Sequence, residues 1–434
     1  MQMPLRYVLA MTLAAGPANA QLRLPSLPLP TLPLQTLPQT ATNLEAQSLD
    51  RLSSLRRLAA DKLIRANRQI IETDPAGDPI VRNEILVLSP IAPLKDQLRS
   101  LGFIVDREQN IDALNIHLVV LRAPPGMATK KALRTLREAD PSGIFDYNHI
   151  YSGSGMPGSQ ESSAPQATSV LPSDSERPNN PTVRIGLLDT GLDISHPAFQ
   201  NRLIRTWGCG NKVIAANHGT AVASLLVGRA PGFAGVRPDA MLYAADVYCG
   251  APTGGSVDTL VAAFGWMVQE KVPVINVSLV GPKNLMLERV IAALIADGYV
   301  IVAAVGNDGP AAPPLYPASY PHVVGVTAVD AHHQVLIEAA RGAQVMFAAY
   351  GADMAACALD HTYQSVRGTS FAAPIVAAML AGKLSGPDAA AAVAAIAALA
   401  KSAIDLGPPG KDLTYGLGLV GAEYRVDPTA LIKR

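Results

Sequence analysis

The sequence predicts an α/β fold: a doubly wound and mostly parallel sheet with helices on both faces, preceded by a small α+β ferredoxin-like domain. Three observations predict it. From residue 183 onward, short apolar strands alternate with helix-like segments, the order that builds a parallel sheet covered on both sides. The stretch "VRIGLLDTG" (Val183–Gly191) is apolar apart from Arg184 until its Asp, as strands buried on both faces are. Residues 79–151 spell β-α-β-β-α-β, the split motif of the smaller domain.

The chain has 434 residues, room for roughly two to three domains. Hydrophobic residues make up 49% and aromatic ones 5%, so the core is built from Ala, Val, Leu and Ile. Lys+Arg and Asp+Glu both number 35, and no basic tract stands out, which argues against nucleic acid as a partner.

Residues 1–20 read as an export signal. Arg6 precedes the apolar "YVLAMTLAAG", too short to span a bilayer, and "ANA" (Ala18–Ala20) is a small-x-small cleavage site. The chain is therefore expected to be exported, secreted or periplasmic. Residues 21–78 hold a spacer and a helix. "LPSLPLPTLPLQTLP" carries five prolines and predicts an extended spacer. From Leu44 to Ile71 an apolar stripe (Leu49, Leu52, Leu55, Leu58, Leu63) opposes a basic side (Arg51, Arg56, Arg57, Lys62, Arg65, Arg68). A solvated helix face is the expectation, with contact to an anionic membrane as the alternative.

In the domain at 79–151, strands are expected at "EILVLSP", "FIVDREQ", "LNIHLVVLRAP" and "GIFDYNHIY", with helices at "PLKDQLRSLG" and "MATKKALRTLREA". Residues 152–182 are rich in Ser, Gly, Pro and Asn, and predict an exposed linker. In the remaining domain, 183–434, strands are expected at "VRIGLLDTG", "MLYAADVY", "VPVINVSL", "YVIVAAVG" and "VVGVTAV". The run Ala389–Ala400, bounded by Asp388 and Lys401, reads as a packed helix of a soluble domain.

Open parallel sheets place their sites at the carboxyl ends of strands. Asp189 ends the first strand of this domain, His218 opens a helix in "NHGTAVASLL", Asn307 follows a strand in "VAAVGNDGP", and Ser370 opens a helix in "VRGTSFAAP". Taken singly, each has an ordinary explanation: a turn Asp, a helix-cap His, an αL Asn beside Gly306, and a helix-cap Ser. Together, in the order Asp, His, Asn, Ser, they match an acid, a base, an oxyanion donor and a nucleophile.

The blocks "DTGLDISHP", "HGTAVAS", "VINVSLVGP", "VAAVGNDGP" and "GTSFAAP" resemble the successive signature blocks of subtilases, the subtilisin-like serine proteases, over Val183 to Leu419. The resemblance implies a serine endopeptidase with Asp189, His218 and Ser370 as its triad and Asn307 in the oxyanion hole. It also implies substrate-binding strands at Gly254, Gly255 and Ser256 and at Ser278, Leu279 and Val280. Protein or peptide substrates are implied as partners. The domain at 79–151 resembles the subtilase propeptide, an intramolecular inhibitor cut away within a window from Tyr151 to about Pro165. The alternative is a catalytically silent subtilase fold that binds or scaffolds; a nucleotide enzyme is disfavoured, because the strand Val183–Gly191 is not followed by G-x-G-x-x-G and no P-loop is present.

The sequence departs from the family at several places. Val280 stands where glycine is usual, and Leu315 at the floor of the P1 pocket, which leads us to expect small or medium apolar P1 residues. No cofactor is expected. The tight calcium site of the family has Ala198 in place of its carboxylate, and the loop Gly228–Val236 brings no Asn or Asp. In the family's sheet the strands before Cys209 and Cys249 are neighbours, so the resemblance implies a Cys209–Cys249 disulfide with Cys357 free. Three reduced, buried cysteines are the alternative.

Overall fold

The computed structural model describes residues 58–89, 98–153, 156–157, 183–212 and 214–431. The expected export signal, the Pro-rich spacer, the start of the basic helix and most of the linker lie outside them. Residues 58–66 are helical, but Ile71 is not: it opens a strand.

The N-terminal unit runs β1 (Ile71–Thr73), β2 (Pro79–Leu88), β3 (Ile104–Ile111), β4 (Ile116–Arg122), α1 (Thr129–Ala139) and β5 (Ile144–His149). Its antiparallel sheet has the order β5-β2-β4-β3, as the split motif requires. The boundary expected at residue 79 falls too late, because β1 pairs with the start of β2 through Ile71 and Val81. Alternation sorts the strand residues between two cores. Ile85, Val87, Val119 and Leu121 pack with Ala132, Leu133 and Leu136 of α1. Leu86, Leu118 and Val120 face the other way, into a core shared with the larger unit.

After β5, two short strands cross the larger unit: β6 (Ser152–Gly153) and β7 (Met156–Pro157). Both fall inside the expected linker, so 152 does not mark a break in structure. Seven parallel strands follow in the order β17-β16-β15-β13-β8-β12-β9. They are β8 (Arg184–Asp189), β9 (Leu203–Trp207), β12 (Met241–Asp246), β13 (Val274–Val277), β15 (Val300–Ala304), β16 (Val324–Val329) and β17 (Val345–Tyr350). Small pairings complete the set: the hairpin β10 (Arg229–Ala230) and β11 (Phe233–Ala234), then β14 (Leu279–Val280), β18 (Met354–Cys357) and β19 (Tyr363–Arg367).

One face of the large sheet packs α2 (Asn217–Val227) and α5 (Thr369–Ala381), with Val300, Val302 and Ala304 pointing into that core. The other packs α3 (Val257–Gln269) and α4 (Leu285–Ala296), with Ile301, Ala303 and Val305. Full burial of each Val or Ile among these is worth about 1.5–3 kcal/mol. The Ala-rich α6 (Ala389–Lys401) is capped by Asp388 and buries only Ala392, Ala395 and Leu399. It is a surface helix: Val393 on its outer side is 69% exposed.

Candidate active site

The site is built at the carboxyl ends of β8 and β15 and at the starts of α2 and α5. Asp189 is the last residue of β8 and is fully buried. Its Oδ1 accepts from the backbone N–H of Thr190 at 2.7 Å and lies 2.7 Å from His218 Nδ1. Thr190 in turn holds the start of α2, its Oγ1 accepting from Gly219 N–H at 2.8 Å. The His218 imidazole is shifted above its ordinary value. Burial, the strongest single influence, pushes it down, but the charge and hydrogen bond of Asp189 together push it up further. With Nδ1 turned to Asp189, Nε2 points into the cleft and finds no hydrogen-bond partner among the described residues.

Ser370 lies in the first turn of α5, but it is not the cap. Gly368 is, at φ 137°, a backbone conformation that glycine adopts readily and other residues rarely do. The Ser370 hydroxyl donates to Ser278 O at 3.1 Å instead of accepting from a helix N–H. Ser278 holds Ser370 a second time. Pro374 stands four residues on and has no N–H to give, so the helix leaves Ser370 O without its usual donor. Ser278 Oγ supplies one at 2.9 Å and is itself oriented by Asn276 Nδ2 at 2.8 Å.

Asn307 follows β15. Its Oδ1 accepts from Thr369 N–H at 3.1 Å, which fixes which way the amide faces. The Nδ2 group is buried and has no partner among the described residues. Thr369 secures the same turn from its side chain, with Gly306 N–H donating to Oγ1 at 3.2 Å. Neither Thr369 nor the double grip of Ser278 is legible in sequence. Each depends on contacts between segments at least sixty residues apart.

The remaining candidate residues form two walls with a strand of the chain itself between them. On one side, Tyr151 N–H donates to Gly255 O at 2.9 Å, and Ile150 bridges Ser256. On the other, β6 pairs antiparallel with β14, Gly153 opposite Leu279 and Ser152 opposite Val280. Tyr248 binds the same strand, its hydroxyl donating to Tyr151 O at 2.8 Å and bonded also to the backbone of Gly153. A side chain at Gly255 would meet Tyr151 O at 2.4 Å, so glycine is required there by the strand; at Gly254 it would meet Tyr248 instead. Gly153 lies against the ring of His218, an added Cβ falling 3.3 Å from Nε2. Beyond the site, β7 pairs with β19, Met156 opposite Arg367.

Polar groups tie the N-terminal unit to the starts of α3 and α4. Arg107 donates to Glu84 on its own sheet and to Asp258 in the first turn of α3, and Asn148 Nδ2 donates to both carboxylates at 2.8 Å. Asp146 Oδ2 accepts from Leu285 N–H at 2.7 Å, at the start of α4. Negative charge at a helix N-terminus is favourable.

Cys209 and Cys249 form a disulfide with a Cα separation of 5.1 Å, and Cys357 is a buried free thiol. Ala198, at the expected calcium position, is fully buried in an apolar cluster with Phe233 and Cys357. That setting offers no carboxylate and does not fit the ion.

Fold and site together define a subtilisin-like serine protease class. The chain belongs to the subtilase family, whose model matches residues 180–418. It is 31% identical to subtilisin DY of Bacillus licheniformis over 249 residues, 56% of this chain and 89% of that protein. It is 30% identical to the minor extracellular protease Epr of Bacillus subtilis (strain 168) over 215 residues, 49% of this chain but only 33% of Epr. Its fold is like that of fervidolysin from Fervidobacterium pennivorans, a keratinolytic enzyme related to subtilisin. The TM-score there is 0.66 at 19% identity, covering 82% of this chain and 62% of that one.

Proposed function

We propose that this chain is an exported serine endopeptidase made as a self-processing precursor. The Ser370 hydroxyl leaves Ser278 O, donates to His218 Nε2 and attacks the substrate carbonyl. His218 takes the proton and passes it to the leaving amine, and water then hydrolyses the acyl-enzyme with His218 again as base. Asp189 keeps the proton of the neutral imidazole on Nδ1 and stabilises the imidazolium. The Asn307 amide and the Ser370 backbone N–H receive the oxyanion.

The strand at residues 150–153 carries this reading. An extended piece of the chain lies where a substrate backbone would lie, paired on both edges, with a glycine against the candidate base. We therefore read the unit from β1 to Tyr151 as a propeptide that inhibits by occupying the cleft. The cut falls between Gly153 and Met156, the residues paired on either side of the site. Of the bonds between them we favour Ser154–Gly155. One step beyond the Leu279–Gly153 pair on the wall is Ser278, whose carbonyl accepts the Ser370 hydroxyl. The apolar, small-x-small start of the sequence supports export, as does the extracellular relative Epr.

A catalytically silent fold is the second reading, favoured by the hydrogen bond from Ser370 to Ser278 O. A fluorophosphonate probe separates the two. Labelling of the wild type and none of Ser370→Ala is the expected outcome; a wild type that resists the probe supports the silent fold.

A further inference from the structure

We infer that the cleft selects tyrosine as the fourth residue before the cut bond and reads it through its hydroxyl. The inference rests on the peptidase reading, with Tyr151 as the occupant that displays the subsite. Tyr151 is fully buried, although it belongs to a strand whose next two residues are exposed. Its ring lies flat on Gly281, where an added Cβ would come within 2.7 Å of two ring atoms. Any larger residue at position 281 would therefore close the pocket.

The far end of the pocket is polar, and this makes it selective. The Tyr151 hydroxyl donates to Pro282 O at 2.6 Å and lies beside the Tyr320 hydroxyl. Tyr320 is fixed in place by Asn284, which donates to its hydroxyl through N–H at 2.9 Å and accepts from it through C=O at 2.8 Å. A phenylalanine would fill the same volume but leave Pro282 O without its donor in a water-excluded pocket. A site built around a substrate hydroxyl rejects the analogue that lacks it. The backbone contacts of Tyr151 to Gly255 and Tyr248 would be made by any residue, so they supply affinity without choice. Together with the close approach of Gly153 to His218, the cleft asks for Tyr-x-Gly ahead of the residue that acylates Ser370.

The test uses mature enzyme purified from the full-length chain and titrated first with a fluorophosphonate. Three quenched peptides carry the sequence Ile-Tyr-Ser-Gly-Ser-Gly-Met-Pro, or the same with Phe or Ala in place of Tyr. We expect kcat/KM for the Tyr peptide to exceed that for Phe about tenfold, and Ala to be cut more slowly still. Gly281→Ala enzyme, labelled as fully as wild type, should lose most of this preference. Labelled enzyme that cuts the Tyr and Phe peptides equally, or cuts none of the three, overturns the inference and leaves the peptidase reading standing. Enzyme that takes no label overturns both.

Discussion

In the mechanism we propose, the pair Asp189–His218 sets the pH at which Ser370 can act. Burial, the largest influence on the imidazole, lowers its affinity for a proton, and Asp189 more than restores it, leaving His218 above its ordinary 6.5. A base must be neutral to accept a proton, so activity rises as pH climbs through that raised value. We predict an acid limb of kcat/KM with its midpoint above 6.5. Asp189→Asn should lower kcat roughly 10⁴-fold and move the remaining limb downward, because burial stays while the charge is gone. A pH–rate profile of both enzymes checks this. Leu315 presents its Cδ1 to Gly306, 2.4 Å from where a Cβ would stand, next to Asn307. We predict that peptide-library profiling finds small or medium apolar P1 residues, and that Leu315→Gly extends the range to Phe and Tyr; an aromatic P1 preference in the wild type would contradict it. At this scale the sequence was legible where a polar residue interrupts a run of small or apolar ones, as at Asp189, His218, Asn307 and Ser370. Reading Ser370 as a cap was wrong because Gly368 turns the chain two residues earlier. The grip of Ser278 was hidden, since it follows from the N–H that Pro374 lacks.

Among the elements, strands buried on both faces announce themselves by apolar runs, which is why β8, β12, β13, β15 and β16 were readable. Edge strand β9 carries no such run, because exposed Leu203, Arg205 and Thr206 break its pattern, and a strand before Cys209 was expected only from the family resemblance. Strands β6 and β7 were invisible for a different reason. They pair through backbone groups inside a Ser- and Gly-rich stretch, and backbone pairing needs no side-chain signature. The neighbouring strands β9 and β12 each lead to a cysteine, and the disulfide joins the two chain ends just past the sheet. It closes a loop with a sequence separation of 40 residues. Loop-closure entropy of that size is worth roughly 4 kcal/mol. We predict that Cys249→Ser lowers unfolding stability by up to about that amount in a denaturant titration; an unchanged midpoint would mean the bond is absent in solution.

Across the whole molecule, the two units share one core, with Leu86, Leu118, Val120 and Tyr151 of the first packed among Val257, Leu260 and Met286 of the second. On the proposed reading, the catalytic unit would meet its inhibitor as a continuation of its own packing, and a cut would leave this surface to hold the pieces together. At the calcium position expected from the family, Ala198 packs against Phe233 and Cys357 and brings no carboxylate. We predict a Tm unchanged by chelator at this site, read by calorimetry; a fall of many degrees would show that the ion is held. The central claim is that this chain cuts itself in its own cleft. N-terminal sequencing of full-length wild type and of Ser370→Ala, expressed side by side, tests it most directly. The account predicts a new terminus between Gly153 and Met156, at Gly155, in the wild type and an uncut junction in Ser370→Ala. The same terminus in both proteins, or an intact junction in both, would contradict it.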